Sequence, residues 1–446
     1  MIEQLRRQIA SPELLKRLET LAGDAPAAAP LSLRIELGKF DTDWLHLLPD
    51  RSTFWFRARP DEQEFRLGIG QALHVSSAGR NRFAALDNAF TGFCQQWRSE
   101  AQPLAFAGFA FDPCNNTPLP NALLSIPAIL LENIKGCCSV TLSTPAGRIG
   151  QAKTDWLQYL INPPAAPLPV ELLPCRAETL PARAWIARVN AALREINLGQ
   201  VDKLVLSRSR KFNASRSFLP SQILSRLIDQ QQDSLIYAHD NGQQTFLGAT
   251  PERLVSLQGD QISADALAGT AWPGSTELAG QKNLHEQSLV VRAVCEALTP
   301  LCTLPPQVSR AEEHPAGRLL HLRSQITATA HPGTTLFDLI RALHPTPAVG
   351  GFPVPAALDW LTTHGEQRPG WYSGGFGILT PDGNGEFSVA LRSALLDGNT
   401  AELQAGAGIV AGSDPQQELA ETEAKLGTLL AALSPAIAAD KNGTIG

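Results

Sequence analysis

The chain contains one lysine in an unusually apolar setting. Lys203 lies within the run V-D-K-L-V-L-S-R, whose apolar residues predict a strand. Burial disfavours the charged form of a lysine side chain, and an uncharged amine can act as a general base. The alternative is a lysine on an edge strand whose ammonium group reaches water. The sequence is compatible with both interpretations.

Glu286 is a candidate ligand for a cation. It lies on the same predicted helix face as Val290 and Ala293. A carboxylate on an apolar face needs a partner, which can be a cationic side chain or a metal ion. The dipeptide His285-Glu286 begins like a zincin motif, but Leu289 occupies the second histidine position, so that motif fails.

Three more polar residues lie in segments that could position them for chemistry. Glu252 follows the apolar run F-L-G-A within T-P-E-R-L. A lone glutamate in a turn is usually solvated and paired with its neighbour, here Arg253. Arg392 in V-A-L-R-S-A is a candidate clamp for a carboxylate, although a surface arginine is the commoner case. His344 could orient or protonate a substrate, and a structural loop histidine is equally compatible with the sequence.

The stretch from Ala405 to Lys425 combines a glycine-rich segment with an acidic helix. The segment A-G-A-G-I-V-A-G predicts a turn whose backbone amides bind an anion. Asp414 and Pro415 predict a helix start, with a capping residue before a proline at the first helical position. Glu421 lies on this helix, and a solvated ion pair with Lys425 is the alternative to a functional carboxylate.

Two ligand classes follow from this stretch. Glu286 and Glu421 would form a joint site for a hard cation, with Mg²⁺ as the suitable ion, only if the fold brings them together. The glycines nearly match a dinucleotide fingerprint, but their spacing is one residue too long and no βαβ unit can follow. A nucleotide-binding protein is therefore the weaker interpretation, and it predicts binding of NAD or ATP.

The predicted elements favour an α+β fold with antiparallel sheets, because helices and hairpin-like strands alternate without βαβ order. Helices are predicted over 1–22, 82–97, 280–298 and from Pro415 to about Leu433, and a further helix is marked by Trp185, Val189, Ala192 and Ile196 and ends near Gly199. Strands are predicted over 318–330, 371–380 and 386–396. The proline-rich segment 161–181 is predicted to be a connector.

Composition excludes several functional classes. The 446 residues carry a net charge of −6, which argues against general affinity for nucleic acid or anionic membranes. No apolar run approaches the roughly 20 residues of a membrane-spanning helix, and the first residues do not resemble a signal peptide. The seven cysteines lack metal-ligand spacing and are expected to be reduced thiols. These features predict a soluble cytoplasmic protein.

Eight segments in this chain resemble, in order, the chorismate-utilising enzymes. They are D-K-L-V-L-S-R, G-A-T-P-E-R-L, A-L-A-G-T, H-E-Q-S-L-V-V, L-H-P-T-P-A-V-G-G-F-P, W-Y-S-G-G-F-G, L-R-S-A, and A-G-A-G-I-V with E-x-x-E-x-x-x-K. Each segment is weak alone, but the ordered set over residues 182–434 is specific. The resemblance implies one large α+β domain of antiparallel sheets flanked by helices, with 1–181 as its variable N-terminal part and 182–446 as its catalytic part.

Three positions separate the reactions within the resembled family. Members that add ammonia usually carry glutamine where Lys203 stands, whereas lysine accompanies water as the nucleophile. Aminodeoxychorismate synthases have lysine where Ala268 precedes Gly269. Amine-adding and pyruvate-eliminating members tend to have threonine where Ala348 stands. Together these positions indicate the isochorismate synthase reaction.

The resemblance also implies a role for each matching residue. Lys203 would activate the water that attacks C2 of chorismate, and Glu252 would protonate the departing C4 hydroxyl group, which requires a raised pKa. Mg²⁺ would be held by Glu286 and Glu421, with Glu418 reaching it through water. The positions implied for substrate binding are Gly269, Thr270, His344, Ala348, Tyr372, Arg392, Ala407 and Gly408.

Other functions remain open from the sequence. Salicylate synthase performs the same first step and then eliminates pyruvate, and a non-catalytic chorismate-binding relative would bind without turnover. No glutaminase subunit is expected, and the protein is expected to be a monomer or homodimer. Menaquinone synthesis and siderophore synthesis are equally compatible with the sequence.

Overall fold

The computed structural model describes residues 2–39, 44–49, 52–114, 118–160, 170–173, 182–274, 277–317 and 319–434. The predicted connector at 161–181 lies outside these ranges, apart from 170–173. The helices are α1 Ile2–Ala10, α2 Pro12–Ala22, α3 Arg82–Gln96, α4 Ile149–Tyr159, α5 Ala182–Asn197, α6 Pro220–Gln230, α7 Gln281–Leu298, α8 Leu336–Leu343, α9 Val354–Thr363 and α10 Pro415–Leu433.

The strands are mostly short and belong to two sheets. They are β1 Pro30–Lys39, β2 Phe54–Arg59, β3 Glu64–Ile69, β4 Leu73–Ser77, β5 Arg98–Ser99, β6 Ala105–Phe109, β7 Ala122–Ile126, β8 Ile129–Ile134, β9 Cys137–Pro145, β10 Leu172–Leu173, β11 Lys203–Ala214, β12 Leu235–Asp240, β13 Thr245–Thr250, β14 Arg253–Gln258, β15 Gln261–Ala271, β16 Gln307–Val308, β17 Glu312–Ala316, β18 Leu319–Thr329, β19 Gly351–Phe352, β20 Gly375–Leu379, β21 Gly385–Val389, β22 Ser393–Asp397 and β23 Thr400–Val410.

Both sheets mix strands from the two halves of the chain. The first sheet has the order β10-β11-β23-β22-β13-β12-β2-β3-β8-β9-β1-β5, with β19 also paired to β11. The second has the order β16-β18-β15-β14-β21-β20-β6-β7-β4, with β17 also paired to β18. Neighbours are antiparallel except for the pair β1 and β5. The predicted α+β fold with antiparallel sheets is therefore confirmed.

The two sheets pack face to face around aromatic side chains. Trp55 and Tyr237 of the first sheet and Phe106 and Phe376 of the second belong to one buried cluster with Trp371. The outer faces of the sheets are covered by helices, because further apolar clusters lie there: one joins the first sheet to α1, α2, α4, α6 and α10, and another joins the second sheet to α3, α7 and α8. The core is thus layered, with helices outside and sheets inside.

Several predicted elements are correct and three are wrong. The helix with the stripe of Trp185 and Val189 is α5, and Asp414 caps α10 by accepting bonds from the amides of two following residues. The predicted helix 1–22 is two helices, because Ser11 caps a new helix that begins with a proline. The glycine-rich segment predicted to be a turn is strand β23, which pairs with β11 along its length.

The predicted strand 386–396 is also wrong, and the error bears on the candidate site. The segment forms β21 in the second sheet and β22 in the first, so the chain crosses between sheets in the middle of the predicted strand. Arg392 lies in this crossing with a φ of 47°. A positive φ is strained for a residue other than glycine, and such strain is usually found at functional sites.

The sequence predicted that no helix spans a membrane and that the cysteines are reduced. No helix in the described ranges is long and apolar enough to span a lipid bilayer. The described cysteines, Cys94, Cys114, Cys137, Cys138, Cys295 and Cys302, all carry free thiols.

Candidate active site

One cavity collects most of the residues singled out from the sequence. It encloses about 690 Å³ of space, which includes the solvent at its open mouth. Its walls come from β11 and β23 of the first sheet, β15 and β18 of the second, helices α7 and α10, and the segments that follow β13, α8, α9 and β21. The predicted residues that line it are Lys203, Glu252, Gly269, Thr270, Glu286, Ala348, Tyr372, Arg392, Gly408 and Glu421.

Lys203 is buried at the start of β11. Its side chain is 1% exposed, and its ammonium nitrogen lies 2.8 Å from Oε1 of Glu286. β11 has β23 on one side and β19 on the other at this point, so the lysine does not reach water from a sheet edge. The side chain is therefore held inside the cavity by a charged partner.

Glu286 projects from α7 toward β11. Burial alone would raise the pKa of its carboxyl group, but Lys203 beside it brings that pKa below the ordinary value. An added Cβ on Gly408 would lie 2.5 Å from Oε1 of Glu286 and 2.8 Å from Cε of Lys203. Glycine is therefore required at position 408 for the lysine and the glutamate to meet over β23.

Glu252 lies where the chain crosses from β13 in the first sheet to β14 in the second. The prediction that this glutamate is solvated is wrong, since the residue is 3% exposed. Burial, together with the charge of Asp265, raises the pKa of Glu252 from 4.5 to about 8. At neutral pH this side chain is thus a carboxylic acid on the wall of the cavity, and it can donate a proton.

Glu421 and Lys425 form the ion pair expected from their spacing on α10. Nζ of Lys425 lies 2.6 Å from Oε1 of Glu421 and also donates to the carbonyl oxygen of Gly406 at 2.9 Å. The hydroxyl group of Thr270 donates to the same glutamate oxygen at 3.2 Å. The pair is not a solvated surface pair, because both side chains line the cavity and contact β15 and β23.

The possible metal ligands are three glutamates on α7 and α10. Glu418 lies behind the cavity wall and is bound to Lys282 at 2.7 Å. Burial and the charge of Glu421 raise the pKa of Glu418 to about 7. Burial would lower the pKa of Lys282, yet Glu418, Glu286 and Glu421 together raise it, so the three carboxylates converge on one positive charge.

Two carboxylates line the cavity in which the sequence predicts Mg²⁺. In the described part of the chain, no three Asp, Glu, His or Cys side chains are close enough to hold a metal ion by themselves. Mg²⁺ is commonly held by one or two carboxylates that are completed by substrate oxygens and water. Glu286 and Glu421, which both line the cavity, match that pattern.

Arg392 is fixed by a short chain of hydrogen bonds. Its Nη2 lies 3.0 Å from Nε2 of His321, and Nδ1 of His321 lies 2.9 Å from the carbonyl oxygen of Gly269. Burial, together with the nearby arginine, lowers the pKa of His321 well below its ordinary value, so the ring is neutral. The neutral ring can accept from the arginine and donate to the carbonyl, which leaves the guanidinium group positioned for an anion.

The free edge of β23 supplies backbone donors. β22 pairs with β23 only from Thr400 to Gln404. Beyond Gln404, no described strand covers this edge of β23. The carbonyl of Gly406 points to this edge, because it accepts from Lys425 there. Backbone groups alternate in direction along a strand, so the amide of Gly408 points to the same edge. The predicted amide donors are therefore on an unpaired strand edge rather than in a turn.

Three predicted site residues do not line the cavity. Ala407 lies between two glycines that do, and strand alternation turns its side chain into the core beside α5 and α9. His344 is hydrogen-bonded to the carbonyl oxygen of Ser373 at 2.9 Å and packs edge-on against Phe109. These contacts match the structural loop histidine that the sequence also allowed. Glu418 is the third, bound to Lys282 as described above.

Several residues that line the cavity were not predicted from the sequence. His321 and Gln404 contribute polar side chains, and Leu391 and Val205 contribute apolar ones. His321 was identifiable in principle, because it breaks the apolar run L-L-H-L at the start of β18. Nothing in the local sequence distinguishes Gln404.

Comparisons with known proteins agree with the fold and with the ordered segments. The chorismate-binding enzymes match residues 31–434 as a family. Isochorismate synthase MenF of Escherichia coli (strain K12) is 30% identical over 395 residues, covering 83% of this chain and 85% of that protein. MenF of Bacillus subtilis (strain 168) is 30% identical over 355 residues, covering 75% of each chain.

A solved structure is similar over nearly the whole chain. The menaquinone-specific isochorismate synthase MenF from Escherichia coli superposes with a TM-score of 0.79, covers 94% of this chain and 99% of its own, and has 22% identity. That likeness concerns the fold alone, whereas the family match and the two relatives above extend to sequence. The chain therefore belongs to the family of chorismate-binding enzymes.

Proposed function

We propose that this protein is an isochorismate synthase, which converts chorismate into isochorismate. In this reaction a water molecule adds at C2 of the ring, the double bond shifts, and the C4 hydroxyl group leaves as water. The observation that carries the proposal is that one cavity is lined by both a buried lysine, Lys203, and a buried glutamate, Glu252, whose pKa is raised to about 8. The isochorismate synthases among the relatives support the same reaction.

Lys203 is the proposed general base. When its ammonium group has given up its proton, the amine can remove a proton from water as that water attacks C2. Glu286 holds the nitrogen in place from 2.8 Å. The small neighbours Ala268 and Ala348 line the same cavity at the positions where other reactions of the family carry lysine or threonine. This combination favours water, rather than ammonia, as the nucleophile.

Glu252 is the proposed general acid. A hydroxide ion is a poor leaving group, so a proton must reach the C4 oxygen as its bond to carbon breaks. Because its pKa is about 8, Glu252 holds that proton at neutral pH. After one turnover Lys203 carries the extra proton and Glu252 is ionised, so exchange with solvent restores both groups without a net change.

The two carboxylates of chorismate require separate cationic surroundings. Arg392, Tyr372 and the amides around Gly408 are proposed to bind the enolpyruvyl carboxylate. Glu286 and Glu421 would hold Mg²⁺ for the ring carboxylate, with Glu418 reaching the ion through water. A bound Mg²⁺ would supply positive charge that neutralises this carboxylate and fixes the ring in the cavity.

Isotope labelling tests the proposed reaction. In H₂¹⁸O the product isochorismate should carry one ¹⁸O atom, at C2, and the C4 oxygen of chorismate should appear in water. Lys203→Ala should abolish this incorporation, while Lys153→Ala, on the exposed surface of α4, should leave it unchanged. Transfer of the original oxygen from C4 to C2 would contradict the proposal.

A further inference from the structure

Gln404 is a buried glutamine on the cavity wall whose side chain has no partner. It is 2% exposed, and it lines the cavity beside Gly406 on β23. Among the described residues, neither its amide nitrogen nor its amide oxygen has a hydrogen-bond partner. Leaving one such group unpaired costs about 1–3 kcal/mol, so buried amides are nearly always satisfied. The side chain is therefore available to a polar group that enters the cavity.

The position of Gln404 identifies the end of the cavity that it faces. Gln404, Gly406 and Gly408 alternate along β23 and share one face, so the glutamine lies farthest from Lys203 on this face. An added Cβ on Gly406 would lie 2.9 Å from the hydroxyl group of Tyr372. Gln404 thus lies beyond the tyrosine, on the side away from Lys203.

Arg392 borders the same end. Gln404 is paired with Ser393, the residue that follows Arg392. An arginine, a tyrosine hydroxyl group and an amide donor at one end of the cavity are suited to a carboxylate, which accepts several hydrogen bonds at once.

We propose that Gln404 is a substrate-binding residue, whose amide donates a hydrogen bond to the enolpyruvyl carboxylate of chorismate beside Arg392. This inference rests on the proposed function, because it takes the substrate from it. The enolpyruvyl group is unchanged when isochorismate forms. A hydrogen bond to it is equally strong in the bound substrate and the transition state, so it contributes to KM and not to kcat.

Gln404→Met tests the inference, because methionine fills a similar volume without a donor. A lost hydrogen bond to a charged group should raise KM for chorismate about 10- to 100-fold and leave kcat within about threefold. Gln404→Glu keeps the shape and adds a negative charge next to the carboxylate, so its KM should rise further. Gln404→Met changes the packing, and Gln404→Glu changes the charge. Thermal melting checks that each variant is folded.

An inhibitor separates binding of the enolpyruvyl group from general damage. The probe is a cyclohexadiene carboxylate with a hydroxyl group in place of the enolpyruvyl ether. Its inhibition constant should be the same for wild type and Gln404→Met. Gln244→Met, at a partly buried glutamine in the turn between β12 and β13, serves as the matched control and should change neither constant.

The outcomes separate this inference from the proposed function. If the wild type converts chorismate and folded Gln404→Met has the same KM, the inference about Gln404 is wrong and the proposed function stands. Equal weakening of chorismate and of the inhibitor would also overturn it, since the glutamine would then shape the whole cavity. Wild-type protein that neither binds nor converts chorismate would overturn both the inference and the proposed function.

Discussion

Replacing the acid Glu252 by glutamine should change activity and stability in opposite directions. The catalytic role requires a proton on the carboxyl group, and its pKa of about 8 places the loss of that proton just above neutral pH. In the wild type, kcat/KM should therefore fall about tenfold per pH unit above pH 8. Glu252→Gln cannot donate a proton, so its kcat should be lower by a factor of about 100 to 10,000, without that basic limb.

The effect on stability follows from the same shift in pKa. The folded protein holds a proton that the unfolded chain releases above its ordinary pKa of 4.5. The free energy of unfolding therefore decreases as the pH rises from 4.5 to 8. At pH 7 this cost reaches about 3 kcal/mol, because about 2.5 pH units separate the pH from the ordinary pKa. Glu252→Gln removes the titrating group and should be more stable than the wild type by up to that amount.

Glu386→Gln is the matched control, with the opposite sign. Burial would raise the pKa of Glu386, but Arg57, Arg59 and Arg253 bring it down to about 2. Its ionised form stabilises the fold fully above pH 4.5, and this contribution is lost only as the pH falls through 2. Glu386→Gln should therefore lower the free energy of unfolding at pH 7 by about 3 kcal/mol, and the loss should be constant from pH 5 to 8.

Urea denaturation from pH 5 to 8 measures both stability effects, and initial rates from pH 6 to 10 measure the basic limb. The difference between Glu252→Gln and the wild type should grow with pH between 5 and 8. The account of the acid would be refuted if the variant kept a basic limb near pH 8, or if its stability advantage did not change with pH.

Three other substitutions have defined outcomes. Asp265→Asn removes a charge that raises the pKa of Glu252, so the basic limb of kcat/KM should move about one unit lower; an unmoved limb would contradict the coupling. Gly408→Ala places a methyl group 2.5 Å from Glu286, and kcat/KM should fall about 100-fold or more while thermal melting still shows a folded protein; near-normal activity would contradict the close approach. Gly427→Ala has no atom within 4 Å of the new methyl group on α10, so urea denaturation should show a gain of about 0.5–1 kcal/mol at unchanged kcat; a loss of stability would contradict the open surroundings.

Sequence patterns predicted an element correctly when the residues that define it lie within that element. The apolar stripe of Trp185 on α5 and the cap at Asp414 depend on neighbours within one turn of helix. The strand 386–396 failed because its alternation continues across a break between two sheets. Which sheet each half joins is decided by pairing with β14 and β13, far away in the chain. The strained conformation of Arg392 has no local signature for the same reason.

The candidate site also contains residues that local sequence predicts and residues whose role depends on distant parts of the chain. The burial of Lys203 follows from the apolar strand around it, and the pair of Glu421 and Lys425 follows from helix spacing. Glu252 looked solvated, because its turn is polar and the layers that bury it are contributed by distant strands. Gln404 could not be identified from its neighbours, since its significance depends on the missing partners in the folded cavity. Chemistry that depends on burial was predictable only where the local sequence is itself apolar.

Chromatography of the products formed from chorismate, with Mg²⁺ and then with EDTA, distinguishes the proposed reaction from its alternatives. The account predicts isochorismate as the product with Mg²⁺ and no product after the metal has been removed. Salicylate together with pyruvate would contradict the proposed reaction and indicate a salicylate synthase. Binding of chorismate without any turnover would contradict the roles of Lys203 and Glu252 in catalysis.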